Sequence, residues 1–482
     1  MKEVNGLVPI RSNEWSKFLC LVMMIALVTY IHSILKLSKD VLILSHLTTE
    51  VISAIKVWVV LPISMLVMLL YIKLSDTFKR STLFHLLTWF FIGFFVLFAT
   101  IIYPNYQALT IQFNPEWSVR YPFLKYVLMI ISNWHFTMFY LCSELWVTVM
   151  LSISAWQTIN HITSMEESKR FYPLLGFSAN IGMVLASYFA KYFAKHNQDW
   201  QGTLNASTIS VVIAAALLSW TLVRLVKLIG DEGFNGSVAI GGRVKKHKTK
   251  LNFSDSVKMI FSSRVVLLIV LLLLSYNVSL NIIEGIWKKS IELSFSGNAN
   301  QIQQFMGSVS LYISLLSAAL AIGGVYILKT VSWRTAALIT PVLFIISGSI
   351  FFLYLIFRNS DLLQAVIVGG SAVYTAALVG AFHNIAARSS KHTIYDSTKE
   401  MVYIPLSDEI KTKGKAAAEM IGSRFGKGSG AFIQQFLLTL FPSMTLMDLT
   451  PILGVIFVVL MVAWLYSTFK LSDLLKSLDP SA

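Results

Sequence analysis

The sequence predicts an all-α integral membrane protein of twelve transmembrane helices, six on either side of a basic linker. Composition is the first observation: 56% of the 482 residues are hydrophobic and only 13% are charged, against about 25% charged in a soluble domain. The mean hydropathy is correspondingly high, at +0.68. The second observation is the recurrence of apolar stretches near the length of roughly 20 residues that a bilayer core requires. The third is a single long polar interval near mid-chain, rich in glycine and lysine. The formal net charge of +15 has two readings, lysine-rich cytoplasmic loops or attraction for an anionic substrate. Cys20 and Cys142 both sit in apolar segments, so no disulfide framework is implied.

Taken in order, the first six spans fall near 16–37, 50–73, 82–103, 137–160, 172–194 and 207–228. The second six fall near 264–284, 302–328, 335–357, 362–387, 417–441 and 450–470. Span one follows a short N-terminal region with no evident small-residue cleavage site and reads as an uncleaved anchor. Span four is ambiguous, because everything from Phe123 to Asn160 is apolar. Either one long helix protrudes, or an extra short segment lies beside it.

With the N-terminus inside, Lys and Arg collect on the cytoplasmic loops, as the positive-inside rule expects. An odd number of spans in either block would scramble that bias. The chain therefore divides into a six-helix block over 1–229, a basic cytoplasmic linker over 230–263 and a second six-helix block over 264–482. The linker contains GFNGSVAIGG and RVKKHKTK, flexible and solvated by composition; a nucleic-acid patch is the less common use of such a run. Two six-helix blocks joined by a basic linker are the plan of the major facilitator architecture, whose halves enclose a central site. The loop SDTFKR at Ser75–Arg80 is similar to the acidic-then-basic loop of that superfamily. Both termini are expected to be cytoplasmic.

Charges inside the spans are few. Lys56 lies early in span two, Glu144 in span four, Glu284 at the end of span seven, and Arg424 and Lys427 in span eleven. Lys36, Lys39 and Asp40 close span one, and His383 with Asn384 lies in span ten. For Lys36, Lys288 and Lys289 the ordinary reading is snorkelling to the interface. For Lys56, Glu144 and Lys427 it is a structural ion pair between helices. A lysine at a membrane-helix centre costs about 2.5–3.5 kcal/mol, so such residues commonly face a partner, a cavity or a substrate. Cations from both blocks suit an anionic, phosphorylated substrate, with lysine a point charge and arginine a fork. From the residues alone the reading is a transporter for an organic anion.

GKGSG at Gly426–Gly430 is not a nucleotide-hydrolase loop. Only three residues separate Gly422 from Gly426, one short of the P-loop spacing, and Gly428 stands where Ser or Thr belongs. The small residues from Gly426 to Ala431 instead suit close helix packing. No metal-spaced His/Cys cluster and no nucleophile elbow is evident. His32, His135, His161 and His383 are scattered over different spans and read as satisfied polar residues rather than ligands. No catalytic residue, metal or cofactor is expected.

Several longer stretches resemble one family: SKDVLIL at Ser38–Leu44, AIKVWVVLP at Ala54–Pro62, SELW at Ser143–Trp146 and KRFYPLLGFSANIG at Lys169–Gly182. EGIWKKS at Glu284–Ser290, HNIAARSSKHTIYDSTKEMVYIPL at His383–Leu406 and KGKAAAEMIGSRFGKGSGAFIQQF at Lys413–Phe436 continue the match in the same order. Together they resemble the nucleotide transporter (ATP/ADP translocase) family of plastids and obligate intracellular bacteria such as chlamydiae and rickettsiae, nearly end to end.

The resemblance implies nucleotide exchange across the bilayer by a twelve-span fold, most simply ATP against ADP. Proton-driven nucleoside triphosphate uptake and NAD/ADP exchange are the family's other modes. Four intramembrane charges that matter in the family fall on Lys56, Glu144, Glu284 and Lys427. Lys56 and Lys427, assisted by Arg424, are expected to hold phosphates; Glu144 and Glu284 are expected to organise those cations or carry a proton. Lys36, Lys39, His383 and Asn384 are accessory candidates. The chain departs from the family where LKLSKD replaces LRDTKD at Lys36 and Leu37, where His161 replaces a glutamine, and at GKGSG itself. The expected partners are ATP, ADP or a related nucleotide, NAD included, and the lipid bilayer, with no nucleic acid, and the carrier is expected to act as a monomer. The competing class is a nucleotide-binding membrane receptor without transport, and the nearer rival a facilitator for another organic anion.

Overall fold

The computed structural model describes residues 10–114, 116–235, 263–360, 367–368, 371–406, 410, 414–419, 422 and 425–478. Most of the linker, 236–262, and Arg424 lie outside the described residues, as does the side chain of Lys427. Among the described residues, ten helices are long and apolar enough to cross a membrane. They are α1 (Trp15–His46), α2 (Thr49–Thr77), α3 (Arg80–Leu109), α4 (Trp134–Ile162), α5 (Met165–His196), α6 (Trp200–Ile229), α7 (Arg264–Phe295), α8 (Ala299–Thr330), α9 (Trp333–Phe357) and α12 (Thr450–Leu478). At the expected tenth and eleventh spans stand two shorter helices, α10 (Ala372–Ser390) and α11 (Gly426–Leu440). No strand occurs among the described residues.

Local chemistry explains where the helices begin. Asp199, Ser263, Asn298, Ser332 and Ser371 each accept a backbone N–H of the first turn of the helix they precede. Ser164 and Glu167 form a reciprocal capping box at α5, which satisfies two donors the helix cannot. The α7–α8 turn places Ser296 at φ 47° and Gly297 at φ 77°. A side chain on Gly297 would be strained there and would also meet the Ser45 carbonyl oxygen at 3.2 Å.

Several spans are longer than their apolar windows. α1 runs nine residues beyond Leu37 to His46, and α7 runs eleven beyond Glu284 to Phe295. Lys39, Asp40 and Glu284 therefore lie inside helices, not at their ends as the sequence suggested. The apolar stretch from Phe123 resolves into a separate short helix, Pro122–Ser132, ahead of α4.

α1 and α7 are strongly enclosed, with 61% and 72% of their central windows buried, whereas α2 has 11%. α1 packs on α4, α5, α6 and α8; α7 packs on α10, α11 and α12. α5 lies along α8 and the start of α2 against α11, joining the first six helices to the rest. Small residues permit the closest approaches. A Cβ on Gly426 would touch Asn277 Cβ at 3.0 Å, and one on Gly430 would collide with Asn281 and meet the Val278 carbonyl. The glycines of GKGSG thus seat α11 on α7, while Gly428 faces open space.

The described hydrogen bonds and ion pairs between α1–α6 and the chain from α7 onward gather at one end, where α1 and α7 finish and α2 and α8 begin. We call this the closed end. Lys289 pairs with Glu50 at 3.2 Å, Glu50 accepts from Leu446 N at 3.2 Å, and Glu292 accepts from Thr49 N at 2.7 Å. Ser187 and Ser310 hydroxyls are 2.8 Å apart, and Gln303 and Gln304 donate to the Ala190 and Ala194 carbonyls. At the opposite end Arg170 and Lys17 bind Glu14 and Glu167, which ties the starts of α1 and α5 together.

The close backbone packing yields a prediction. A Cβ on Gly182 of α5 would collide with the Ala26 backbone carbonyl of α1, while one on Gly93 meets nothing within 4 Å. Gly182→Ala should destabilise the protein by about 1–3 kcal/mol, and Gly93→Ala should be neutral or slightly stabilising. Thermal unfolding in detergent distinguishes them; equal melting points would refute the packing argument.

Candidate functional site

A chain of buried charges crosses the molecule between α4 and α10. Glu144 Oε1 accepts from Lys39 Nζ at 2.7 Å, and Lys39 lies 3.5 Å from Asp40. Asp40 Oδ2 is 2.8 Å from Lys288 Nζ, which is also 3.0 Å from Glu284 Oε1 one helical turn back. Glu284 Oε2 accepts from Arg388 at 2.6 Å, and Arg388 Nε donates to Asn384 Oδ1 at 3.3 Å. Asp40 and Lys288 are each 2% exposed. Lys39 also stands 3.7 Å above the Tyr140 ring, a cation–π contact.

Each position follows from its helix. Lys39 and Asp40 are adjacent on α1, so their side chains diverge, one toward α4 and one toward α7. Glu284 and Lys288 are four apart on α7 and share a face. Asn384 and Arg388 repeat that spacing on α10, where Asn384 also donates to the Gly380 carbonyl. Lys56 opens a π-helical turn, Lys56–Val60, in which Leu61 N–H reaches back to the Lys56 carbonyl. Pro62 follows; it has no N–H to offer the ladder and crowds the preceding turn. Such π-turns frequently occur at functional sites. A second one, Val147–Ala155, begins just after Glu144.

Lys56, Thr49 and Ser53 of α2 line a cavity with Asn281, Glu284 and Lys288 of α7, and Gln434 of α11 contributes a further wall. Its accessible volume is about 10 Å³, roughly the room that one water molecule needs. Lys36 and Lys56 have no ion-pair partner among the described residues, yet both lie in the field of Glu284 and Lys288. Five cations (Lys36, Lys39, Lys56, Lys288, Arg388) thus stand among three carboxylates (Asp40, Glu144, Glu284), with positive charge in excess.

The structure brings together Lys36, Lys39, Lys56, Glu144, Glu284 and Asn384 from the sequence expectations. His383 is buried beside them in sequence but turns away, with Nδ1 2.8 Å from Ser347 Oγ. Arg424 and the Lys427 side chain are not described, so their expected share in the site stays a proposal. Snorkelling fails for Lys288 and Lys289, which are 2% and 6% exposed and ion-paired inside the protein. Lys36 lies ten residues before the end of α1. His135 is not a satisfied polar residue: both ring nitrogens are buried without partners among the described residues, and the ring packs against Trp134, Phe136 and Tyr106. Arg388, Asp40 and Lys288 were missing from the candidate set. The four-residue spacing from Asn384 to Arg388 and from Glu284 to Lys288 was the available signal.

Fold and site together define a multi-pass helical membrane transporter. A bacterial homologue of the iron transporter ferroportin, in an inward-facing crystal structure, superposes with a TM-score of 0.57 at 12% identity, covering 96% of this chain and 100% of that one. A D-xylose-proton symporter gives 0.53 at 13% identity, over 95% and 97%. These likenesses establish the major-facilitator type of fold and nothing about substrate. The family model for the TLC ATP/ADP transporter matches residues 1–474. ADP,ATP carrier protein 3 of Rickettsia bellii is 33% identical, covering 96% of this chain and 95% of its own. ADP,ATP carrier protein 1 of Rickettsia conorii is 34% identical, over 98% and 95%. The chain belongs to the TLC ATP/ADP transporter family, a family of transporters and not of enzymes.

The Lys39–Glu144 bond is open to a double-mutant cycle. Lys39→Gln and Glu144→Gln should each lower stability, because each strands a charge in the interior. The double variant should cost less than the two singles combined, by about 0.5–3 kcal/mol. Strict additivity in thermal unfolding would show that the pair is not coupled.

Proposed function

We propose that this protein exchanges ATP for ADP across the membrane by alternating access. The observation that carries this reading is the excess of cations at and around the cavity: Lys56 lines it, and neither Lys56 nor the nearby Lys36 has an ion-pair partner among the described residues. A di- or triphosphate would supply the missing negative charge. The names of the relatives, ADP,ATP carriers over nearly their whole length, point to the same substrate.

On this reading Lys56 and Lys427 hold phosphate oxygens, with Arg424 and Lys36 assisting. Glu284 keeps Lys288 and Arg388 in place, and Glu144 does the same for Lys39. Residues 1–229 and 264–482 act as two halves, α10 and α11 complete twelve crossings, and the interval 230–263 links the halves in the cytoplasm. The lysine bias of the loops sets both termini inside, in a bacterial inner membrane, with the closed end outward. The cavity as it stands is too narrow for a nucleotide, so loading requires the halves to part at one end. The carrier acts as a monomer.

Uptake of labelled ATP by intact bacterial cells expressing the chain tests this. Unlabelled ADP should compete, and uptake should survive a protonophore. Lys56→Ala should lower uptake by roughly tenfold or more, since a charged hydrogen bond contributes about 1.5–3 kcal/mol, with protein still present in the membrane. Collapse with the protonophore would establish proton-driven import instead, with Glu144 or Glu284 as the proton carrier. Uptake of NAD with ATP ignored would shift attention to Lys36 and Leu37. Nucleotide binding without flux into liposomes would make the protein a receptor.

A further inference from the structure

Among the links that hold the closed end together, one is different. Glu50, Lys289 and Glu292 pair with each other and with backbone, and the Ser187–Ser310 and Gln303–Ala190 contacts lie along α5 and α8. Lys288 alone, among the described ionised side chains, both lines the cavity and forms an ion pair across to the first six helices. Its ammonium is divided between Glu284 at 3.0 Å, inside the cavity, and Asp40 at 2.8 Å, on α1.

We propose that Lys288 couples occupation of the cavity to closure: an anion bound beside Glu284 draws Lys288 from Asp40 and releases the closed end. This rests on the nucleotide-exchange reading and adds the residue pair that makes exchange obligatory.

The electrostatics favour this division of labour. With the cavity empty, parting α1 from α7 breaks the buried Lys288–Asp40 pair at 2.8 Å and leaves Lys288 with Glu284 alone, a costly step because its ammonium gains neither a replacement anion nor full hydration. The empty carrier is therefore held shut. A phosphate chain entering beside Lys56 places several negative charges near Lys288 and offers its ammonium a replacement for Asp40. Asp40 is not stranded when Lys288 leaves, because Lys39 lies 3.5 Å away and can close on it. Lys39 is itself bonded to Glu144 at 2.7 Å, so the relaxation passes on to α4. Binding thus supplies the compensation that the empty site lacks, and opening at the closed end becomes conditional on cargo.

Asp40→Asn removes the charge but keeps the shape. The full chain, purified and reconstituted in liposomes with the closed end outward, should take up labelled ATP only when the lumen holds ADP. The Asp40→Asn variant should take it up without internal nucleotide, faster by roughly tenfold or more. Retained dependence on internal ADP in that variant would overturn the coupling role. A second readout does not need the variant to fold: Ser187→Cys with Ser310→Cys in the otherwise unmodified chain, whose parent hydroxyls are 2.8 Å apart. The disulfide should form readily without nucleotide and several-fold less at saturating ATP; an unchanged yield would count against the proposal. If the unmodified chain shows no exchange at all, the transport reading fails and takes this inference with it.

Discussion

The structure depends on keeping eight ionised side chains inside a membrane protein. Five cations and three carboxylates stand in one connected region, and the bonds from Glu144 through Lys39, Asp40, Lys288 and Glu284 to Arg388 are what make that burial tolerable. None of these six bonded members could be placed alone, since an isolated buried charge carries a desolvation cost of several kcal/mol. The helices that carry the centre of this chain, α1 and α7, are accordingly well enclosed and extend well past their apolar windows. Enclosure removes the charges from lipid, and length lets the second half of each helix belong to the protein interior.

The packing around that centre solves a related difficulty. Apolar spans carrying many Ser, Thr and Asn residues would leave donors unpaired in hydrocarbon. Here Thr29, Ser33, Thr88, Ser143 and Thr158 each donate to the carbonyl four residues back. That bond satisfies the hydroxyl within its own helix. Glycines meanwhile bring helices together where a side chain would not fit, at Gly182 on α1 and at Gly426 and Gly430 on α7. Lipid offers little hydrophobic drive for helices to associate, so close van der Waals approach of this kind supplies much of the adhesion.

The two ends of the bundle are chemically unlike. One is cross-linked by buried ion pairs and serine or glutamine hydrogen bonds between the first six helices and the rest; at the other, the described pairs join helices within one group, as Glu14 and Arg170 do. An exchanger that opens alternately to either side must make one such set while breaking another. The proposed mechanism places the decision in the shared ammonium of Lys288, where the cavity and the closed end meet.

Much of this was legible in the residues. Apolar length and charge scarcity determine the membrane class and the helical content, because an unpaired backbone is not tolerated in hydrocarbon. Lys56, Glu144 and Glu284 stood out for the same reason. A hydropathy window, however, measures transfer into lipid, and it ended span one at Leu37 and span seven at Glu284. Asp40 and Lys288 were transferred into protein, each with the other as partner, and 248 positions of sequence separate them. Their pairing, the turning of His383 toward Ser347 and the recruitment of Arg388 to Glu284 are consequences of which helices touch. The sequence by itself determined what kind of molecule this is and that it holds charges in the membrane. Only the tertiary structure decided which charge neutralises which, since that depends on distances of about 3 Å between helices remote in the chain.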